Sequence, residues 1–176
     1  KRLGYDERDR VVIIHADDIG MCQATLPALP HLLEAGLVSS AATMVPCPWF
    51  PDVAALCRAN PGVDMGVHLT LTCEYQAYRW GPISTRDPAS GLLAEDGLFP
   101  HDPHELQSQA LPGPAARELR AQVDRARAAG IDVTHLDTHQ LTVYAPEILA
   151  AYTGLAVQDR LPLMLLRLGV AGWQSL

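Results

Sequence analysis

Short apolar runs alternate along the chain with segments of helical spacing. Residues 11–14 (VVII) are apolar and mostly β-branched, and they precede Asp17, Asp18 and Gly20. This pattern predicts a buried central strand that ends in a functional loop. Further strands are predicted at 38–45, 63–71, 132–136 and 162–168, and helices at 26–35 (starting near Pro30 because of its two prolines), 52–59, 115–129 and 146–158.

The alternation of strands and helices predicts an α/β fold with a parallel sheet and helices outside it. The connections are too long for hairpins, which is the pattern of right-handed βαβ units. An open doubly wound sheet and a (β/α) barrel both satisfy the pattern. The chain has no GxGxxG motif after the first strand and no GxxxxGK[ST] motif, so nucleotide-binding folds lose weight.

One long segment, residues 74–114, follows neither period. It is rich in Pro, Gly, Asp and Trp, and we predict a long loop insertion there. Loops of this length usually serve as lids or binding loops.

Length, composition and charge restrict the class of protein. A chain of 176 residues suits one domain, and 48% apolar against 19% charged residues is the opposite of a disordered composition. A net charge of −7 without a basic tract argues against a nucleic-acid surface, and no apolar run reaches the ~18 residues of a membrane span. Four widely spaced cysteines without a CxxC pair, behind a charged first segment, predict reduced, mostly buried thiols and a cytoplasmic protein.

Three polar clusters lie where predicted strands end: residues 15–18 (HADD), 66–70 (GVHLT) and 134–139 (THLDTH). Because ligands gather at the carboxyl ends of parallel strands, these clusters are expected to converge on one face. Two imidazoles and one carboxylate, with positions left open for water, are typical of a catalytic metal site.

Each cluster also has a structural interpretation. The two aspartates could cap a helix or form a turn, and His68 could be a satisfied core residue. His135, Asp137 and His139 fall at every second position and share one face if the strand extends that far. Three ionisable groups on one face of a buried strand are costly unless they are paired or bind a metal.

The same segments carry a family resemblance. VVIIHADDIGM at 11–21, VDMGVHLTLT at 63–72 and GIDVTHLDTHQ at 130–140 resemble the three signature segments of the YdjC/ChbG-like carbohydrate deacetylases. The resemblance implies a distorted (β/α) barrel and a metal-dependent hydrolase that removes the acetyl group from an N-acetylated sugar or small oligosaccharide.

The resemblance also implies roles for individual residues. Asp18, His68 and His139 would bind one divalent metal ion, with zinc or magnesium as candidates, and Asp17 would be the general base. His135 and Asp137 are then placed to orient the metal ligands.

The segment after the third predicted strand supplies candidate sugar contacts. Tyr78, Arg79 and Trp80 could stack on a pyranose and hydrogen-bond it, although Trp80 could equally anchor the loop to the core. The partner expected from the resemblance is a small carbohydrate, without nucleic acid or membrane, and a homo-oligomer is an open alternative.

The chain departs from the family pattern in three respects. Leu141 and Val143 occupy positions where many members carry further histidines, and His15 stands where Asn is common. The chain also has fewer predicted strands than a closed barrel needs. We therefore expect a single domain, 1–176, that forms an incomplete barrel without its C-terminal part, and the segment 166–176 resembles the start of a further element.

Two other functions stay open from the sequence. One is a metal hydrolase of another class, such as a phosphoesterase, although two-metal sites need more carboxylates than these clusters contain. The other is a non-catalytic sugar-binding protein with a vestigial site.

Overall fold

The computed structural model describes residues 4–6 and 8–167, and its centre is one parallel sheet with the order β1-β2-β3-β4. The predicted α/β arrangement, with helices around a parallel sheet, is confirmed. The strands are β1 (His15–Ile19), β2 (Ser40–Thr43), β3 (Met65–Leu69) and β4 (Val133–Thr138). The helices are α1 (Thr25–Glu34), α2 (Phe50–Ala59), α3 (Pro103–Gln109), α4 (Pro112–Ala128) and α5 (Pro146–Asp159), with 3₁₀ turns at Pro88–Ser90 and His139–Tyr144.

The two faces of the sheet differ in chemistry. Strand residues of one face are fully buried and belong to a single apolar core that includes Leu119 of α4. The other face carries polar and small residues, and the candidate site is built on it. The buried apolar set from the strands is Ala41, Met65, Val67, Leu69 and Leu136, and the polar and small set is His15, Ser40, Gly66, His68 and Asp137.

The prediction of a buried central strand at residues 11–14 is wrong. These four side chains are exposed, and β1 begins only at His15. The run lies at the edge of the described sheet, where Ser39 donates its backbone N–H to the Ile14 carbonyl. An apolar β-branched run indicates an extended backbone but does not show how many neighbouring strands cover it.

Helix α1 starts earlier than predicted, at Thr25, and contains Pro30. Pro27 lies in the first turn, where a backbone N–H has no helical partner to lose. Pro30 removes one hydrogen bond further along, and the helix tolerates this loss while burying Leu29 completely.

The segment 74–114 is more ordered than the predicted long loop. It contains α3, capped by the Asp102 side chain, and the first residues of α4. The Glu118 side chain of α4 is fully buried and accepts hydrogen bonds from the backbone N–H groups of Ile83 and Ser84. Short, Pro-led helices with one buried apolar residue leave little periodicity in the sequence, which explains the missed element.

The predicted strand at 162–168 appears as a single parallel bridge between Leu163 and Leu136. Residues 168–176, and with them most of the predicted further element, lie outside the described residues. Within the described part, the four cysteines are unpaired, with Cys47, Cys57 and Cys73 buried as predicted, and no helix is long and apolar enough to cross a bilayer.

Candidate metal centre

Asp18 reaches the site through an irregular end of β1. The pairing of β1 with β2 shifts register between Ala16 and Ile19, and Asp18 adopts a left-handed backbone with φ of 58°. Such bulges re-aim side chains next to functional sites. A non-glycine residue in this conformation stores strain that the surrounding structure must hold.

The two histidines come from neighbouring strands. His68 lies in β3 and is 3% exposed, and His139 follows β4 directly and is 4% exposed. Gln140 and Leu141 then turn the chain sharply, with φ of 51° and 57°. The strand therefore ends one residue before His139, which joins the site from the turn.

The structure brings Asp18, His68 and His139 together, with their ligand atoms within 4.8 Å of one another. Oδ1 of Asp18 lies 3.2 Å from Nε2 of His68 and 3.1 Å from Nδ1 of His139. A tetrahedral ion with bonds of about 2.0–2.2 Å holds its ligand atoms about 3.3–3.6 Å apart. A small outward movement of the three side chains would accommodate such an ion.

Each imidazole has a second carboxylate on its far nitrogen. Oε2 of Glu74 lies 2.9 Å from Nε2 of His139. Oδ1 of Asp137 lies 2.9 Å from Nδ1 of His68, with angles outside those of a well-aligned hydrogen bond. A carboxylate behind a histidine is the usual support of a metal ligand, because it fixes the tautomer and orientation of the ring. The donor set therefore fits a divalent cation.

The charges of the site are strongly coupled. Burial opposes ionisation of Asp18, but hydrogen bonds from His139 and His68 hold the pKa of Asp18 well below its usual range. Burial also disfavours the charged form of His68, yet Asp137 and Asp18 outweigh it and raise the pKa of His68 to about 9. The site thus concentrates negative charge around two imidazoles, which favours a cation.

Asp17 is exposed and lines the same cleft, which has a volume of about 490 Å³. Its carboxylate is adjacent in sequence to Asp18, so one aspartate can face the centre while the other faces solvent in the cleft. This is an arrangement that a base acting on bound water needs.

His135 lies on the same polar face, near the start of β4, and is more exposed than His68 and His139. Its ring meets the His15 ring edge-on at 5.1 Å and packs against the backbone of Gly66. Nδ1 of His135 lies 2.8 Å from the Thr134 hydroxyl, and burial together with the neighbouring His15 lowers the pKa of His135. The predicted role of His135 in orienting the ligands stays a prediction.

The three candidate sugar contacts have different surroundings. Tyr78 is 37% exposed, whereas Trp80 is buried and donates its indole N–H to the Thr72 carbonyl. The Arg79 side chain is 8% exposed, and its guanidinium donates hydrogen bonds to the carbonyls of Cys73 and Phe99. These contacts favour anchoring of the loop by Arg79 and Trp80, and their contact with a sugar stays a prediction.

Sequence reasoning missed Glu74. The residue follows β3 by five positions and lies in the segment without a period, so only its closeness to His68 in the sequence could have suggested it. Ser40, which lies 2.8 Å from Nδ1 of His15, was also missed, because a serine at a strand start has no distinguishing signal.

Comparison with known proteins supports the resemblance. A carbohydrate deacetylase from Thermus thermophilus is 38% identical over 92% of this chain and 55% of its own length, and one from Brevibacillus brevis is 34% identical over 86% and 57%. The chain thus spans about half the length of these curated relatives. A crystal structure from Enterococcus faecalis, described as a candidate cellobiose-phosphate cleavage protein, superposes with a TM-score of 0.79 at 26% identity, covering 93% of this chain and 62% of that one. The model of the family described as YdjC-like protein matches residues 11–175, and the chain belongs to that family.

Proposed function

We propose that the protein is a metal-dependent hydrolase that removes an acetyl group from an N-acetylated sugar or small oligosaccharide. The observation that carries the proposal is the convergence of Asp18, His68 and His139, with a carboxylate behind each imidazole. The relatives named carbohydrate deacetylases support the reaction class.

Zinc is the cation that this donor set favours. Two imidazole nitrogens and one carboxylate oxygen, with further positions open to the cleft, are typical of catalytic zinc, while magnesium prefers oxygen ligands. When bound, such an ion polarises the amide carbonyl and lowers the pKa of a coordinated water.

Asp17 is proposed as the general base. Its exposed carboxylate faces the cleft beside the ligand Asp18, where it would accept the proton of the attacking water. The half-buried Asp18 is not available as the base, because its Oδ1 is already shared between His68 and His139.

Sugar binding is proposed for the aromatic group beside the centre. Trp80 lies 6.4 Å from the His139 ring, and the exposed Tyr75 and Tyr78 lie 5.9 and 6.0 Å from Trp80. Aromatic faces match the apolar faces of pyranose rings. Arg79 would contribute by holding this group in place, and Tyr78 is the candidate for direct contact.

The test uses the full chain, stripped with chelator and reloaded with Zn²⁺, with acetate release from N-acetylated chitooligosaccharides as the readout. We expect one bound Zn²⁺ per chain and loss of that ion in Asp18→Asn and His139→Gln. Asp17→Asn should keep the ion and lose about 10²–10⁴-fold in turnover. His31→Gln, at an exposed histidine of α1, is the matched control and should behave as wild type.

Three results would contradict the proposal. Absence of Zn²⁺ binding, or unchanged binding in the Asp18 and His139 variants, overturns the metal centre. Full activity of Asp17→Asn overturns the assignment of the base. Metal and sugar binding without acetate release would instead favour a non-catalytic sugar-binding protein.

A further inference from the structure

A line of polar side chains runs from the metal centre into the polar face of the sheet. Asp137 is 5% exposed and lies between two histidines, with Oδ1 2.9 Å from Nδ1 of His68 and Oδ2 3.0 Å from Nε2 of His15. Nδ1 of His15 lies 2.8 Å from the Ser40 hydroxyl. The line therefore joins β1, β2, β3 and β4 through side chains alone.

Donors and acceptors along this line are consistent in one direction. A carboxylate only accepts, so Nε2–H of His15 must donate to Oδ2 of Asp137. In a neutral His15, Nδ1 then accepts from the Ser40 hydroxyl. Nδ1–H of His68 then faces Oδ1 of the same carboxylate, and Nε2 of His68 is left towards Asp18. This is the tautomer that a histidine needs in order to bind a metal through Nε2.

His15 controls the orientation of Asp137 in this arrangement. The contact between Asp137 and His68 is short but not well aligned. A modest rotation of the Asp137 carboxylate would therefore improve or break the hydrogen bond to Nδ1 of His68. His15 holds the other oxygen of that carboxylate. A buried carboxylate that loses one of two partners also loses much of the compensation for its burial.

We propose that His15 is a positioning residue of the metal centre, which acts through Asp137 to fix the ring of His68 with Nε2 directed at the cation. The inference rests on the proposed function, because it requires a cation on His68. His15 itself contacts neither the cation site nor the cleft-facing carboxylate of Asp17 through any hydrogen bond in the described residues.

Two amide substitutions separate this role from general packing. The amide nitrogen of Gln stands about as far from the backbone as Nε2 of histidine, so His15→Gln can still donate to Asp137. The amide of Asn stands about as far as Nδ1, so His15→Asn can reach only Ser40. His15→Ala removes both contacts.

The experiment measures the Kd for Zn²⁺ of the full chain by competition with a chromogenic chelator, together with the thermal unfolding midpoint of each variant. We expect His15→Asn and His15→Ala to weaken Zn²⁺ binding by about 10–100-fold, the usual effect of losing a supporting partner of a ligand. His15→Gln should stay within about threefold of wild type. Nitrogen NMR of the metal-free and zinc-loaded chain should show His68 protonated on Nδ1 when zinc is bound. In His15→Asn, the His68 ring should no longer be held in this one tautomer.

The possible results distinguish the two proposals. If wild type binds Zn²⁺ and His15→Asn binds it equally well, His15 has no positioning role while the metal centre stands. If His15→Gln loses as much affinity as His15→Asn, the effect is one of packing and the inference is wrong. If wild type binds no Zn²⁺, the metal centre and the inference both fail. Should His15→Ala not fold, the comparison of the Gln and Asn variants decides.

Discussion

Gly66 is a position where one added methyl group should be felt strongly. The residue pairs with Ala42 in the sheet and precedes His68 by two positions in β3. A Cβ at Gly66 would lie 2.5, 2.6 and 2.7 Å from three ring atoms of His135. Ordinary carbon contacts are about 3.5–4.0 Å, so the ring would have to move by about 1 Å.

The His135 ring has little room for that movement, because Thr134 and the His15 ring fix it from two sides. Overpacking of this kind costs about 1–3 kcal/mol. Alanine is favoured over glycine in a strand by about 0.5–1 kcal/mol, which offsets part of the cost. We expect Gly66→Ala to lower the free energy of unfolding by about 1–2 kcal/mol.

Removing the His135 ring should reverse the sign of the effect of Gly66→Ala on the free energy of unfolding. In the His135→Ala background, Gly66→Ala has space for its methyl group and should be neutral or stabilising by up to about 1 kcal/mol. The coupling between the two substitutions is therefore expected to be about 2 kcal/mol.

The assay is urea unfolding followed by circular dichroism for wild type, the two single variants and the double variant. Gly154→Ala is the control, since nothing lies within 4 Å of its added Cβ in α5, and it should stabilise the protein. A coupling below about 0.5 kcal/mol would refute the reasoning, because the cost of Gly66→Ala would then not come from the His135 ring.

Two further predictions concern the contacts of α4. The Gln122 side-chain amide pairs with the buried backbone N–H and C=O of Thr70 at 3.0 and 2.7 Å. Gln122→Leu leaves both groups without this partner and should lower the free energy of unfolding, measured in urea, by about 2–4 kcal/mol. A decrease of less than about 1 kcal/mol would contradict this reasoning. Hydrogen bonds from Arg120 and Arg127 lower the pKa of Asp159 below 3.8, so its stabilisation is present above that value and is lost as the pH falls through the lowered pKa. Asp159→Asn should therefore cost about 1 kcal/mol at neutral pH. It should cost nothing once the pH lies below the lowered pKa of Asp159, and a difference from wild type that is independent of pH would exclude this cause.

The convergence of Asp18, His68 and His139 could be predicted from the sequence, because parallel strands end at one edge of a sheet. Asp18, His68 and His139 lie in three separate segments, and each segment ends an apolar run. The physical rule that brings them together depends only on the order of strands and crossovers, which alternation indicates well.

The position at which β1 begins could not be predicted in the same way. Residues 11–14 have the composition of a buried strand and are exposed, whereas the less apolar His15–Ile19 forms β1. β-propensity reports how well a residue fits a pleated, covered surface, and the covering is supplied by neighbours distant in sequence. A pattern limited to the strand itself does not contain that information.

Of the two carboxylates next to the imidazoles, one could be predicted from strand alternation and the other could not. Asp137 could be predicted because it lies on the same strand face as His135, two positions before His139. Glu74 reaches His139 only because of the path of the following loop. Arg79 donates to the carbonyls of Cys73 and Tyr75, which flank Glu74 in the chain, and so fixes the backbone on both sides of it. The type of Arg79 suggested recognition of a sugar, but its contacts hold the segment that carries Glu74 against His139, a candidate metal ligand. Only the tertiary path of the loop distinguishes the two roles.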